Sequence, residues 1–148
     1  MLKIAQRIVS ALRQDEDLQV LLGATAQEEG GTLSGARIFT IAYPEVDEGK
    51  DKVPYLVVMP QGSTFEGTED DAYMEETTNI DILCVATDIS QLATIEEAVI
   101  ADIDAYLEGT EEFDFTQQPT RTTSAAQMDT DKPCVFFTVS YSLNHIKS

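Results

Sequence analysis

Residues 77–109, TTNIDILCVATDISQLATIEEAVIADIDAYLEG, decide the fold. Their first part alternates, with Thr78, Ile80 and Ile82 on one side and Asn79 and Asp81 on the other. A period of two marks a strand with one face in water. From Leu83 through Cys84 and Val85 to Ala86 every position is apolar, so this end of the strand has both faces covered. Then the period changes. Leu92, Ile95, Val99, Ile103 and Tyr106 recur at helical spacing, flanked by Ile100 and Leu107. Asp88 or Ser90 supplies an N-cap and Gly109 a stop. A strand that feeds straight into a long amphipathic helix requires a sheet with helices laid on it.

Working outward, Arg37–Tyr43 (RIFTIAY) reads as a short strand stopped by Pro44. Tyr55–Met59 (YLVVM) is apolar at every position and bounded by Pro54 and Pro60. The last strand runs from Cys134 to Leu143. Val135, Phe137, Val139, Tyr141 and Leu143 lie on one face, with Cys134, Phe136, Thr138, Ser140 and Ser142 on the other. At the start of the chain Ala5, Ile8, Val9 and Leu12 form a helical stripe. Asp15 caps a second, short helix carrying Leu18, Leu21 and Leu22, which Gly23 ends in a left-handed conformation. Residues 24–35 read as a loop, and 61–75 as a long hairpin arm or a loop with ragged strand ends. Residues 110–132 form a long polar segment with a weak edge strand around Arg121 to Ala126.

The expected architecture is one α+β domain spanning residues 1–148, in the order α-β-β-β-α-β. It holds a mainly antiparallel sheet of about four strands, the first three as a meander, with two helices packed on one face. Two helices cover one face only, yet the strands at 55–59 and 83–86 are apolar on both. Either a long loop or another subunit must cover the second face.

Nine basic residues stand against twenty-seven acidic ones, a formal net charge of −18. Such a surface repels nucleic acid and anionic membranes, and the scattered Lys and Arg form no phosphate-gripping patch. Cys84 and Cys134 read as reduced residues of the core. No apolar stretch reaches the ~20 residues of a membrane span. The first residues lack the apolar run of a signal peptide, so a cytoplasmic site of synthesis is expected.

Catalytic chemistry finds little footing. His145, the one histidine, has no nucleophile or orienting carboxylate near it in sequence and reads as an exposed terminal residue. Phosphate-loop, dinucleotide and nucleophile-elbow glycine motifs are absent. One His and two Cys far apart make a poor zinc set, and residues 66–71 lack the spacing of a helix–loop–helix calcium site. No enzyme, cofactor or metal is predicted. Asp104 and Glu108 lie near the C-terminal end of the long helix, where the dipole disfavours negative charge. They read as part of a solvated face, with a cationic partner as the alternative.

The ordered features resemble the siphophage tail-completion or tail-terminator proteins of the phage neck. They are the helix ending Leu18–Gly23, Ala36-Arg37-Ile38-Phe39 with Tyr43-Pro44, and the Pro-Tyr-aliphatic strand Val53–Val58. Asn79–Ala86 leading through Asp88 into a helix, and the closing aromatic strand Phe136–Tyr141, complete the set. The loop at 24–35 and the segment at 110–132 depart from the family pattern. The resemblance implies a virion protein assembled in a bacterial host cytoplasm. It would form a homo-oligomeric ring, commonly a hexamer, with tail-tube and head-connector proteins as partners. DNA would pass through an acidic lumen without being gripped, and Glu66, Glu69, Asp70, Asp71 and Glu75 would line it. The alternatives are another neck or tail-tube protein, or an acidic cytoplasmic binding or inhibitor module suited to a basic partner.

Overall fold

The structure is a computed structural model that describes residues 2–26, 33–40, 53–67, 74–109, 114–115, 119–129 and 134–146. Helix α1, Leu2–Arg13, turns Ile4, Ala5, Ile8, Val9 and Leu12 inward as one stripe. Helix α2, Glu16–Leu21, begins where the Asp15 carboxylate accepts the Leu18 amide at 3.1 Å. It ends at Gly23, whose φ of 91° lies in the left-handed region that glycine adopts without strain. Strands β1 (Thr25–Ala26) and β2 (Leu33–Ser34) then pair antiparallel in a small separate ribbon. A loop was expected over 24–35. Two-residue strands carry no period, so the pattern could not reveal this ribbon.

The main sheet has the order β3-β4-β5-β9, with β6, β7 and β8 on the outer edge of β9. Strand β3 is Ile38–Thr40, β4 is Tyr55–Gly67, β5 is Met74–Ala86 and β9 is Val135–Ile146. The long hairpin arm expected at 61–75 is present as the continuation of β4 and β5. One expectation is corrected: β3 pairs with β4 in parallel, not as the first turn of a meander. The stretch from Thr40 to Tyr55 is too long for a hairpin turn and long enough to bring the chain back to the same end of the sheet. Residues 41–43 of the expected first strand lie outside the described residues.

The strand count is corrected as well, from about four to seven in this sheet among the described residues. Strands β6 (Asp114–Phe115), β7 (Thr120–Thr123) and β8 (Gln127–Met128) pair antiparallel with β9 in turn. Only β7 overlaps the edge strand expected at 121–126. β7 and β8 are exposed throughout, so no apolar alternation announces them.

Helix α3, Ile89–Gly109, starts at Asp88, whose carboxylate accepts the Gln91 amide at 2.8 Å. Its buried residues Leu92, Ile95, Val99, Ile103 and Leu107 meet α1 and the inner face of the sheet. That face is built from Leu56 and Val58, from Ile80, Ile82 and Cys84, and from Phe137, Val139 and Tyr141. Among the described residues the helices therefore number three, because α2 stands apart from α1. On the opposite face Val57 and Val85 are 1% and 3% exposed within a single chain. Phe39 and Tyr55 share that face, their rings 6.2 Å apart and tilted. Those two valines are thus covered by the chain itself and need no second subunit.

Candidate functional site: the hairpin end, the open edge and the helical clefts

The far end of the β4–β5 hairpin gathers acidic residues. Its register sets Glu66 opposite Glu75 and Phe65 opposite Glu76. Like charges placed directly across a pair of strands weaken it. Of the five acids expected to line a lumen, Glu66 and Glu75 are brought together here, and Glu75 is half-buried. Glu69, Asp70 and Asp71 lie outside the described residues.

Beside this end sits a buried polar cluster that the sequence reading missed. His145 is 3% exposed, not a solvated terminal residue, and its Nε2 lies 3.1 Å from the Thr78 hydroxyl. Glu76, 6% exposed, places one carboxylate oxygen 3.8 Å from the same Nε2. The signal was available. Val139, Tyr141, Leu143 and His145 share one parity, and the first three belong to the core face. Burial alone would raise the Glu76 carboxyl, but the Ser63 hydroxyl and nearby positive charge, His145 included, hold it below its usual range.

The second feature is an edge. Strand β3 pairs only with Leu56–Val58, and among the described residues β4 from Met59 to Gly67 pairs only with β5. Its register shifts between Pro60 and Gly62, where φ is 135°. A proline and a bulge both blunt an open edge against random pairing.

The third feature is the outer side of α3. In one cleft Asp15 and Asp102 stand together with Gln14 and Tyr106. Burial and the neighbouring Asp15 carboxyl push the Asp102 carboxyl up to about 7. A second cleft of about 360 Å³ opens between the last turns of α3 and β7, lined by Asp104, Leu107, Glu108, Pro119, Arg121 and Tyr141. Arg121 stands opposite Tyr141 in the β7–β9 register and reaches across to Asp104, 2.7 Å away. Tyr141 is 2% exposed, and its buried hydroxyl interacts with the side chains of both Arg121 and Asp104. Burial first, then the Asp104 charge, push that phenol up to about 12. Cys84 and Cys134 are free and buried, as expected. Among the described residues no group of three or more His, Cys, Asp or Glu could hold a metal ion. No described helix is long and apolar enough to cross a membrane.

No family model and no curated protein matches the chain. Among solved structures it is similar to a chain of the "Virion of native gene transfer agent (GTA) particle". The two are 12% identical, with 95% of this chain and 92% of that one covered, at a TM-score of 0.49.

Proposed function

We propose that the chain is a structural protein of a phage or phage-derived particle, and that it acts as a tail terminator, a ring that caps the tail tube at the head–tail junction. The observation that carries the ring is the edge of β4 from Met59 to Gly67, which among the described residues pairs only with β5. An unpaired edge on a strand this long is a template for another chain, and closure into a ring removes it. The resemblance to neck proteins supports the rest, since Tyr55–Val58 of its first strand segment falls in β4 and its Asn79–Ala86 and Phe136–Tyr141 segments fall in β5 and β9. The acidic end of the same hairpin gives such a ring a surface that repels DNA. The role proposed is non-catalytic, with no cofactor. Tail-tube and head-connector proteins are its partners.

Light scattering of the purified protein over a wide concentration range, followed by electron microscopy, tests this reading. A discrete species near six times the chain mass that images as closed rings is expected. Open filaments of indefinite length would replace the terminator with a tube protein. A monomer that remains a monomer in the presence of isolated tail tubes would remove the ring.

A further inference from the structure

We propose that the chain joins a second copy of itself edge to edge, the free stretch of β4 in one copy pairing antiparallel with β7 of the next. This rests on the ring reading and names the contact that builds the ring. The two strands are opposite edges of one sheet. Followed across it, Gly62 stands opposite Asn79, Asn79 opposite Ser142, and Ser142 opposite Thr120. Every step from β4 through β5 and β9 to β7 is antiparallel, so β7 runs opposite to β4. A copy turned about an axis along the strands therefore brings its β7 beside its neighbour's β4 in the direction that antiparallel pairing needs. Two β4 edges paired with each other would close at a dimer and leave β7 bare, whereas unlike edges continue from copy to copy until they close.

The backbone at both edges is set for it. Among the described residues β7 pairs only with β9 and is exposed along its length. Just past its end the Ser124 amide donates to the Thr138 carbonyl of β9. By alternation Thr122 and Thr120 also turn to β9, and Arg121 and Thr123 turn their peptide groups outward. On the other edge the Leu56 amide donates to the Arg37 carbonyl, which sets Leu56, Val58 and Pro60 toward the outer side. Pro60 thus places its missing donor on the edge, where a sheet tolerates proline. The donors of the free stretch lie beyond it, among Gln61 to Gly67. β7 is level with Val58 to Gly62, so meeting those donors slides each copy a few residues along the last, the stagger that closing a sheet on itself requires. Charge is the independent observation. Residues 53–65 carry no charged side chain and residues 116–128 carry only Arg121, in a chain with twenty-seven acids and a net charge of −18. Copies that repel overall meet most readily where both surfaces lack carboxylates.

The test is Thr123→Pro, which removes an outward amide of β7 and spares the pairing with β9. Its melting temperature should stay near the parent's, and its rings should be lost in sedimentation and electron microscopy. The variant keeps an intact β4 edge, so mixed with the parent chain it should add to growing assemblies and stop them, leaving short oligomers. Hydrogen exchange on the unaltered protein needs no folded variant. The Arg121 and Thr123 amides should exchange at least about tenfold more slowly in the ring than in the monomer, while Thr122, already turned to β9, changes little. Rings formed by a folded Thr123→Pro chain, or rings in which the Arg121 and Thr123 amides gain no protection, would overturn this pairing and leave the ring reading standing. A parent chain that stays monomeric beside isolated tail tubes overturns both.

Discussion

At the scale of single residues, two carboxylates have opposite relations to the fold. Asp102 is held up to about 7, so the folded chain keeps a proton there that the unfolded chain releases near the ordinary carboxylate range. Between those two values the folded state binds more protons, and its stability therefore falls as pH rises from about 4 to about 7 and stays lowered above that. Asp102→Asn removes the penalty. Its melting temperature should exceed the parent's by about 3 °C or more at pH 8 and match it near pH 4, as scanning calorimetry would read. Equal gains at both pH values would show that ionisation of Asp102 is not what destabilises the fold. Glu76 is held low instead, and ionised it stabilises the fold against His145 and Ser63. His145→Ala leaves the buried Glu76 and Thr78 facing a void. It should cost about 2 kcal/mol in urea denaturation, and a loss within about 0.5 kcal/mol would mean the cluster is solvated.

At the scale of elements, the joint between α2 and the sheet depends on one glycine and one arginine. The Arg37 amide donates to the Leu22 carbonyl at 3.0 Å, its Nε donates to the Pro54 carbonyl at 2.9 Å, and its carbonyl accepts the Leu56 amide at 2.9 Å. The same guanidinium lies against Gly23, where any Cβ would collide with it. Gly23→Ala must therefore strain a left-handed residue and displace the Arg37 head together. We expect a loss of about 2 kcal/mol, against no loss or a gain of a few tenths for Gly109→Ala, a helical position where the space is open and φ is not positive. A Gly23→Ala loss of only a few tenths would show that Arg37 moves aside freely. The long elements of this fold were legible because each has a period that burial imposes: α1, α3 and the alternating stretches of β5 and β9 all obey it. The caps at Asp15 and Asp88 were legible for a local reason, a side chain bonding three residues ahead. The direction of β3 was not, since three residues look alike run either way. Nor were β6 and β8, and β7 only in part, because their pairing is decided by the edge of β9 and not by their own sequence. The cleft at Tyr141 was half legible. Asp104 and Glu108 stood out as misplaced charge, while Arg121 and the hydroxyl meet them only through tertiary structure.

At the scale of the whole molecule, the charge of −18 opposes every contact between copies. If the open edge of β4 is closed by neighbours, assembly must work against that repulsion, which salt screens over about 10 Å at 0.1 M. Raising sodium chloride from about 0.05 to about 0.5 M should shift the population toward the ring, as sedimentation velocity would show. Dissociation by salt would point to ion pairs as the glue and to a different interface.

The pairing of β9 has a consequence in time. It zips along nearly the whole of β5 and, among the described residues, is the only strand in the main sheet that β6, β7 and β8 pair with. A ribosome delivers it after all of them. Until residues 135–146 emerge, three short segments have no template, and β5 offers a bare flank beside a finished helix. The outer half of the sheet can only snap into place in one late event, slow because its contacts span long stretches of chain. Wherever many copies are made at once, a neighbour's β9 is as good a match for that waiting flank as the chain's own, so the interval before docking is when strands would be exchanged between molecules.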